Sequence, residues 1–253
     1  MLMTDRRALV TGACKGLGQY LAASLAAEDW DVTGVGRCPE EQVAAVSNVT
    51  YLQADLSRPE TSAALSERLD PALDLVVHCA VAYPPARPSG PEPRDLEEVF
   101  RVNAFAPYHL TLNLLARKPA DRFCSYVVVN SEAIYSADDH SAVYAASKAA
   151  LRVLTAGLAA GCRSAGAAVS TLLLGPLADR SKLAEIETIA ARKGLPASDV
   201  VRLFLRRSNP NLVIDEFIDH ASCLRSVRYL AELGPTANGM LCKLDGGSSG
   251  SLV

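Results

Sequence analysis

Tyr144 and Lys148 stand four residues apart in Tyr144-Ala145-Ala146-Ser147-Lys148. That spacing puts both side chains on one face of a helix. An ammonium beside a phenol stabilises phenolate and draws its pKa down towards neutrality, as a general acid–base requires. Ser131 closes an apolar run thirteen residues earlier. A hydroxyl there can hydrogen-bond a substrate oxygen, because ligand crevices form at the C-terminal ends of parallel strands.

A second constellation lies near the start of the chain. The first apolar run ends in Thr11-Gly12-Ala13-Cys14-Lys15-Gly16-Leu17-Gly18. A strand that feeds a glycine turn into a helix N-terminus is an anion site. Glycines let the backbone approach a pyrophosphate, and the helix dipole favours its charge. The second run ends Val35-Gly36-Arg37. An NAD site usually places an acid here for the ribose 2′-hydroxyl. Gly36 fills that slot, with Arg37 beside it and Lys15 in the glycine turn. A guanidinium and an ammonium suit a 2′-phosphate, so the expected cofactor is NADP(H).

The elements that must position these groups are legible as an alternation. Apolar β-rich runs occur at Arg7–Val10, Asp31–Gly36, Val49–Gln53, Leu73–Cys79, Tyr126–Ser131, Val169–Leu174 and Met240–Leu244. Continuous apolar runs suit strands covered on both faces. Helical stretches lie between them, such as Leu17–Ala27 with Leu17, Leu21 and Leu25 on one stripe. The pattern predicts one α/β domain over residues 1–253, a doubly wound parallel sheet with helices on both faces. Pro84, Pro85, Pro88, Pro91 and Pro93 predict a stiff loop after the fourth strand. A long insertion before the last strand holds two amphipathic patterns, Lys182–Lys193 and Ser198–Arg207. It reads as a substrate lid over about residues 177–215.

Composition excludes several function classes. Apolar residues make up 49% and charged residues 21%, which argues against disorder. Net charge is −3, so no basic footprint for nucleic acid exists. No signal-peptide h-region and no apolar segment of about 18 residues is present, which predicts no membrane partner. Seven cysteines without a C-x-x-C pair predict free thiols in the cytoplasm and no metal site.

Taken in order, Thr11-x-x-x-x-Gly16-x-Gly18, Asp55-Leu56, Asn103, Ser131, Tyr144-x-x-x-Lys148 and Gly175-Pro176 run the length of the chain. This arrangement resembles the short-chain dehydrogenase/reductase family, in its compact single-domain branch. The resemblance implies a seven-stranded Rossmann sheet, NADP(H) as cofactor and reduction of a carbonyl substrate. It implies Asn103, Ser131, Tyr144 and Lys148 as the catalytic set. Tyr144 would protonate a ketone and Ser131 would hold its oxygen. Lys148 would bind the nicotinamide ribose, and Asn103, in a helix, would hold a relay water. Gly12, Cys14, Lys15, Gly16, Leu17, Gly18 and Arg37 would hold the phosphates, with Asp55 and Leu56 on the adenine. Cys79, Ala80 and Val81 replace the usual Asn-Ala-Gly, and Val81 would narrow the cofactor's approach. Gly175-Pro176 reverses the usual order, and Leu177 would hold the carboxamide with its backbone.

Other residues read more plainly. His78 and Cys79 point to opposite strand faces, so core packing is expected. His140 could line the substrate mouth and Glu132 could contact substrate, although a wet loop position is the simpler reading of both. Arg206 and Arg207 read as a solvated face. Ala145, Ala149, Val153, Ala156, Gly157 and Ala160 form a small-residue stripe on the Tyr144 helix. With Leu96–Arg117, the resemblance implies a homo-oligomer, dimer or tetramer, across a two-fold axis. Leu183, Ile186, Ile189, Val200, Leu203 and Phe204 suggest a moderately apolar ketone, and analogy suggests secondary-metabolite biosynthesis. Two alternatives are alcohol oxidation with NAD at the same site and a non-catalytic NADP-sensing protein.

Overall fold

A computed structural model of the protein describes residues 6–43, 45–87, 89–139 and 141–250. Met1–Asp5, Pro88 and His140 lie outside the described residues, and so do the expectations placed on them.

Seven parallel strands form one sheet in the order β3-β2-β1-β4-β5-β6-β7. They are β1 (Arg7–Thr11), β2 (Asp31–Gly36), β3 (Val49–Gln53), β4 (Leu75–His78), β5 (Cys124–Ser131), β6 (Ala167–Leu174) and β7 (Leu241–Leu244). The fourth strand is shorter than its apolar run, because Asp74 and Cys79 turn to other partners. The Asp74 carboxylate accepts from the Arg7 backbone and pairs with Arg122 at 2.8 Å. The Cys79 backbone N–H donates to Thr11 Oγ1. The strand order reverses between β1 and β4, which opens a crevice at their C-terminal ends. Thr11, His78, Ser131 and Leu174 all end strands on that edge.

Eight helices wrap the sheet among the described residues. On one face Leu9, Val76, Tyr126 and Val169 pack against α2 (Thr61–Arg68), α4 (Ala106–Arg117) and α5 (Ala142–Gly161). On the other, Val10, Val32, Val77 and Leu172 meet Leu21 and Leu25 of α1 (Gly16–Ala27). Val227 and Leu230 of α8 (His220–Glu232) complete that layer. Neighbouring strand residues such as Leu9 and Val10 thus serve opposite layers, so the runs are continuously apolar. A buried leucine such as Leu21 contributes about 1.5–3 kcal/mol.

Two details add to the sequence reading. Leu96–Arg117 is helical throughout but contains a wide turn. α3 (Pro93–Phe100) meets α4 through a π turn at Arg101–Phe105, and Asn103 sits in that turn. Wide turns of this kind occur at functional sites. The insertion folds as α6 (Arg180–Lys193) and α7 (Ala197–Ser208) around a small core of their own, Ile186, Ala190 and Val200 with Phe217. Ile186 and Val200 therefore face each other's helix, while Leu183, Leu203 and Phe204 stay exposed. A bridge between Leu177 and Ile218 returns the chain to the sheet.

Candidate active site

The glycine turn is held open by close backbone approaches. A Cβ on Gly18 would lie 2.3 Å from Gly12 O, and one on Gly12 would lie 2.8 Å from Ala80 Cα. Gly12 has φ +78° and Gly16 +59°, which only glycine adopts without cost. Thr11 Oγ1 accepts from the Cys79 and Ala80 backbone N–H groups at 3.1 and 3.2 Å. It binds the loop after β4 to the turn. Leu17 is buried beneath, and α1 begins at Gly16 with no side-chain cap and no acid in its first turn. Its N-terminal dipole is left for an outside anion. This cradle fits a dinucleotide pyrophosphate.

At the end of β2 the space beside Gly36 is taken. A Cβ there would lie 2.3 Å from Cys14 Sγ and 2.8 Å from the Tyr51 hydroxyl. An acidic side chain at 36 would collide with that thiol. Lys15 is exposed, and Arg37 makes only a surface ion pair with Glu98 at 3.2 Å. Such exposed pairs are weak and exchange readily for a stronger anion. Asp55 caps its own turn, accepting from Ser57 N and Oγ at 3.0 and 2.8 Å. Burial would raise this carboxyl, but the Ser57 bonds and Arg58 outweigh it and hold Asp55 below its ordinary value. Leu56 lies in the core beside it.

Tyr144 and Lys148 occupy successive turns of α5, and Ser131 ends β5 opposite them. The Ser131 hydroxyl accepts from Ala133 N at 3.3 Å, and it favours ionisation of the nearby Tyr144 phenol. Lys148 is buried, and its Nζ donates to Val129 O at 3.0 Å, 6.0 Å from the Tyr144 ring centre. Burial pushes the Lys148 ammonium down to about 8. The sequence reading had the ammonium lowering the phenol. Instead, burial and then the neighbouring Tyr83 push Tyr144 well above its ordinary value, against the Ser131 bond. In this state Tyr144 holds its proton, as a general acid must.

Asn103 braces rather than reacts. Its Oδ1 accepts from Ala82 N at 2.8 Å, and its Nδ2 donates to Ala82 O and Ser147 Oγ at 2.9 Å. Both amide hydrogens are committed to protein, so a relay water would have to use other atoms. Val81, 44% exposed, borders this brace. Gly175 fits tightly, since a Cβ would lie 2.7 Å from Asp245 O. Pro176 O accepts from Ile218 N at 2.9 Å, and Leu177 O accepts from Asp179 N at 2.9 Å. His78 is core, bonded to Thr111 at 2.9 Å. Arg206 and Arg207 lie on an exposed face.

Four residues of the site escaped the sequence reading. Tyr83 stacks on Tyr144 with ring centres 4.6 Å apart. Tyr51 holds Cys14, with oxygen and sulfur 3.0 Å apart. Asn130 ties Lys148 O to Ser131 N at 3.1 and 2.7 Å. Ser147 links Asn103 to Tyr144 O, to which it donates at 2.7 Å. Tyr83 lies within the proline-marked loop, but spacing alone does not aim an aromatic ring. Glu132 joins the mouth too, where burial raises its carboxyl against a bond from Asn209.

The sequence profile of the short chain dehydrogenase family matches residues 6–185. The chain belongs to that family. It is an oxidoreductase on a single Rossmann-type domain. The Bacillus subtilis oxidoreductase YvrD is 22% identical over 99% of this chain and 98% of its own. Among solved structures, the angucycline C-6 ketoreductase LanV with bound NADP superposes with TM-score 0.79 at 21% identity, covering 96% of this chain and 95% of that one. BdcA in complex with NADPH superposes with TM-score 0.79 at 20% identity, covering 98% and 96%.

Proposed function

We propose that this dehydrogenase is an NADPH-dependent reductase that converts a ketone to a secondary alcohol. One observation carries the reading. Tyr144 lies one helical turn from a buried Lys148, whose Nζ is 6.0 Å from its ring centre, and Ser131 ends β5 at the same edge of the sheet as the glycine turn that follows β1.

NADPH, when bound, supplies the hydride. Gly12, Cys14, Lys15, Gly16, Leu17 and Gly18 would cradle its phosphates, and Arg37 with Lys15 its 2′-phosphate. Asp55 and Leu56 would border the adenine, Cys79, Ala80 and Val81 the sugar, and Gly175, Pro176 and Leu177 the carboxamide. Gly36 supports NADP(H) over NAD(H), since the slot an acid would fill is taken by the Cys14 thiol and the Tyr51 hydroxyl. The NADP(H)-bound relatives of the same fold point the same way.

Ser131 would hold the substrate oxygen while Tyr144 delivers its proton to it. Lys148 donates one hydrogen to Val129 O and keeps the others for ribose hydroxyls. Asn103 keeps the loop that carries Tyr83 registered against α5. Tyr83 beside Tyr144, and the exposed Leu183, Leu203 and Phe204 of the insertion, would suit an apolar ketone. The name of LanV, a ketoreductase, favours the reductive direction and a biosynthetic setting. Ala149, Val153, Ala156, Gly157 and Ala160 are exposed along α5, while Ala145 is buried. We place the contact of a homodimer or homotetramer on that stripe, and the seven free thiols fit a cytoplasmic enzyme.

The test is a panel of apolar ketones with NADPH or NADH as reductant. Consumption of NADPH well above NADH with at least one ketone is the expected result. Tight NADPH binding with no turnover on any carbonyl would defeat the reading.

A further inference from the structure

Two half-buried thiols flank the residues assigned to the 2′-phosphate. Cys14 immediately precedes Lys15, and Cys38 immediately follows Arg37. Although 24 residues apart, they meet across the end of β2, where the Cys38 backbone N–H donates to Cys14 Sγ at 3.2 Å. Tyr51 closes the group, its oxygen 3.0 Å from Cys14 Sγ and donating to Cys38 O at 3.0 Å. Gly36 makes the meeting possible, because any Cβ there would occupy the sulfur's place.

We propose that Cys14 and Cys38 are a redox switch on cofactor binding, in which a hydroperoxide joins them as a disulfide and disarms Lys15 and Arg37. The proposal rests on the NADP(H) reading of those two side chains. Cys14 is the attacking thiol. It sits two residues before the α1 N-terminus, a position that favours thiolate. Burial pushes it up, but hydrogen bonds from Cys38 and Tyr51 outweigh this and hold it below an ordinary thiol. Its bond to Cys14, and then burial, push Cys38 the other way. The remaining thiols are poor competitors. Cys124, Cys162 and Cys223 are buried, burial lifts Cys79 to about 11, and burial raises the half-buried Cys242.

The steps balance. The Cys14 thiolate attacks the outer peroxide oxygen, the O–O bond breaks, and the other oxygen leaves as alcohol or water with a proton. Cys14 is then a sulfenic acid. The Cys38 thiolate attacks that sulfur, the S–O bond breaks, and hydroxide leaves with the second proton as water. Two thiols lose two electrons and two protons, and the peroxide gains both. A bond between the sulfurs takes Cys14 Sγ from the Tyr51 hydroxyl and the Cys38 amide and fixes the two side chains in disulfide geometry. Lys15 and Arg37, one residue away on each side, must move with them. A dithiol reductant reverses the change.

The test uses the full chain, treated with hydrogen peroxide and then with a thiol-blocking reagent. Peptide mass spectrometry should find Cys14 linked to Cys38. NADPH affinity should fall by about tenfold or more, NADH affinity should fall less, and dithiothreitol should restore both. Cys38→Ser should show neither the link nor the loss after peroxide. Absence of the linked peptide, while Cys14 is oxidised, overturns the switch. So does a linked protein that binds NADPH as before. If reduced enzyme shows no preference for NADPH and Arg37→Ala changes nothing, the cofactor reading itself fails, and the gating with it. The linked peptide would then still be seen.

Discussion

Gly36 and Cys14 compete for one space. A Cβ at residue 36 would lie 2.3 Å from Cys14 Sγ, well inside contact distance. A side chain at the end of β2 therefore requires the Cys14 thiol and the Tyr51 hydroxyl to shift. Gly36→Asp alone should destabilise the turn and weaken both cofactors. Gly36→Asp with Cys14→Ala removes the closer of the two contacts, leaves only the Tyr51 hydroxyl at 2.8 Å to shift, places an acid for a ribose hydroxyl and repels a 2′-phosphate. The double variant should move the NADPH-to-NADH ratio of kcat/KM towards NADH by at least about tenfold, some 1.4 kcal/mol. Steady-state kinetics with both cofactors check this, and an unchanged ratio would count against the 2′-phosphate site.

Tyr83 predicts a separation of binding from chemistry. Its ring stacks on Tyr144 at 4.6 Å, and such pairs contribute about 0.5–1.5 kcal/mol. Tyr83→Ala should raise ketone KM by roughly twofold to tenfold. Tyr83→Phe keeps the stack but removes the hydroxyl that helps push the Tyr144 phenol up. It should leave KM near wild type and shift the alkaline limb of kcat to lower pH. A pH profile identical to wild type would deny the coupling.

Lys148 sets a pH limit. Burial holds its ammonium down to about 8 in the cofactor-free enzyme. The kcat/KM for NADPH reports groups of that form. It should be level below about 8 and fall above it, as the ammonium that would hold the ribose loses its charge. Lys148→Met should give a low value without that limb. A limb unmoved in Lys148→Met would belong to another group.

His78 predicts acid sensitivity of the fold. Burial lowers its imidazole to about 4 from 6.5. The folded state resists a proton that the unfolded chain accepts, so stability is full above 6.5 and declines as pH falls through 4. The window is worth roughly 3 kcal/mol. Chemical denaturation at pH 7 and pH 4.5 should show the loss, and His78→Gln should flatten it. An equally steep loss in His78→Gln would assign it elsewhere.

The sheet was legible because its central strands, β1, β4, β5 and β6, are buried on both faces and carry largely apolar runs, whereas the edge strands β3 and β7 are only partly buried. Strand ends were less legible. Asp74 and Cys79 leave β4 for side-chain partners that lie far along the chain. The glycine turn, Ser131, Tyr144 and Lys148 could be named from order and spacing. Tyr83, Tyr51 and Asn130 could not, because their roles arise where a loop, a neighbouring strand and a helix converge. The pKa of Tyr144 was misjudged for a related reason. Spacing revealed the ammonium one turn away, while the desolvation and the phenol that outweigh it come from other elements.

The most direct measurement follows the hydrogens. NADPH deuterated at the transferable position is incubated with a ketone that the enzyme turns over, and the alcohol is examined by mass spectrometry. The account predicts one deuterium on the carbinol carbon with wild type. It predicts almost no labelled product with Tyr144→Phe, although that variant binds NADPH as tightly. Labelled alcohol formed by Tyr144→Phe at the wild-type rate would contradict the assignment of the proton donor and with it the account of this site.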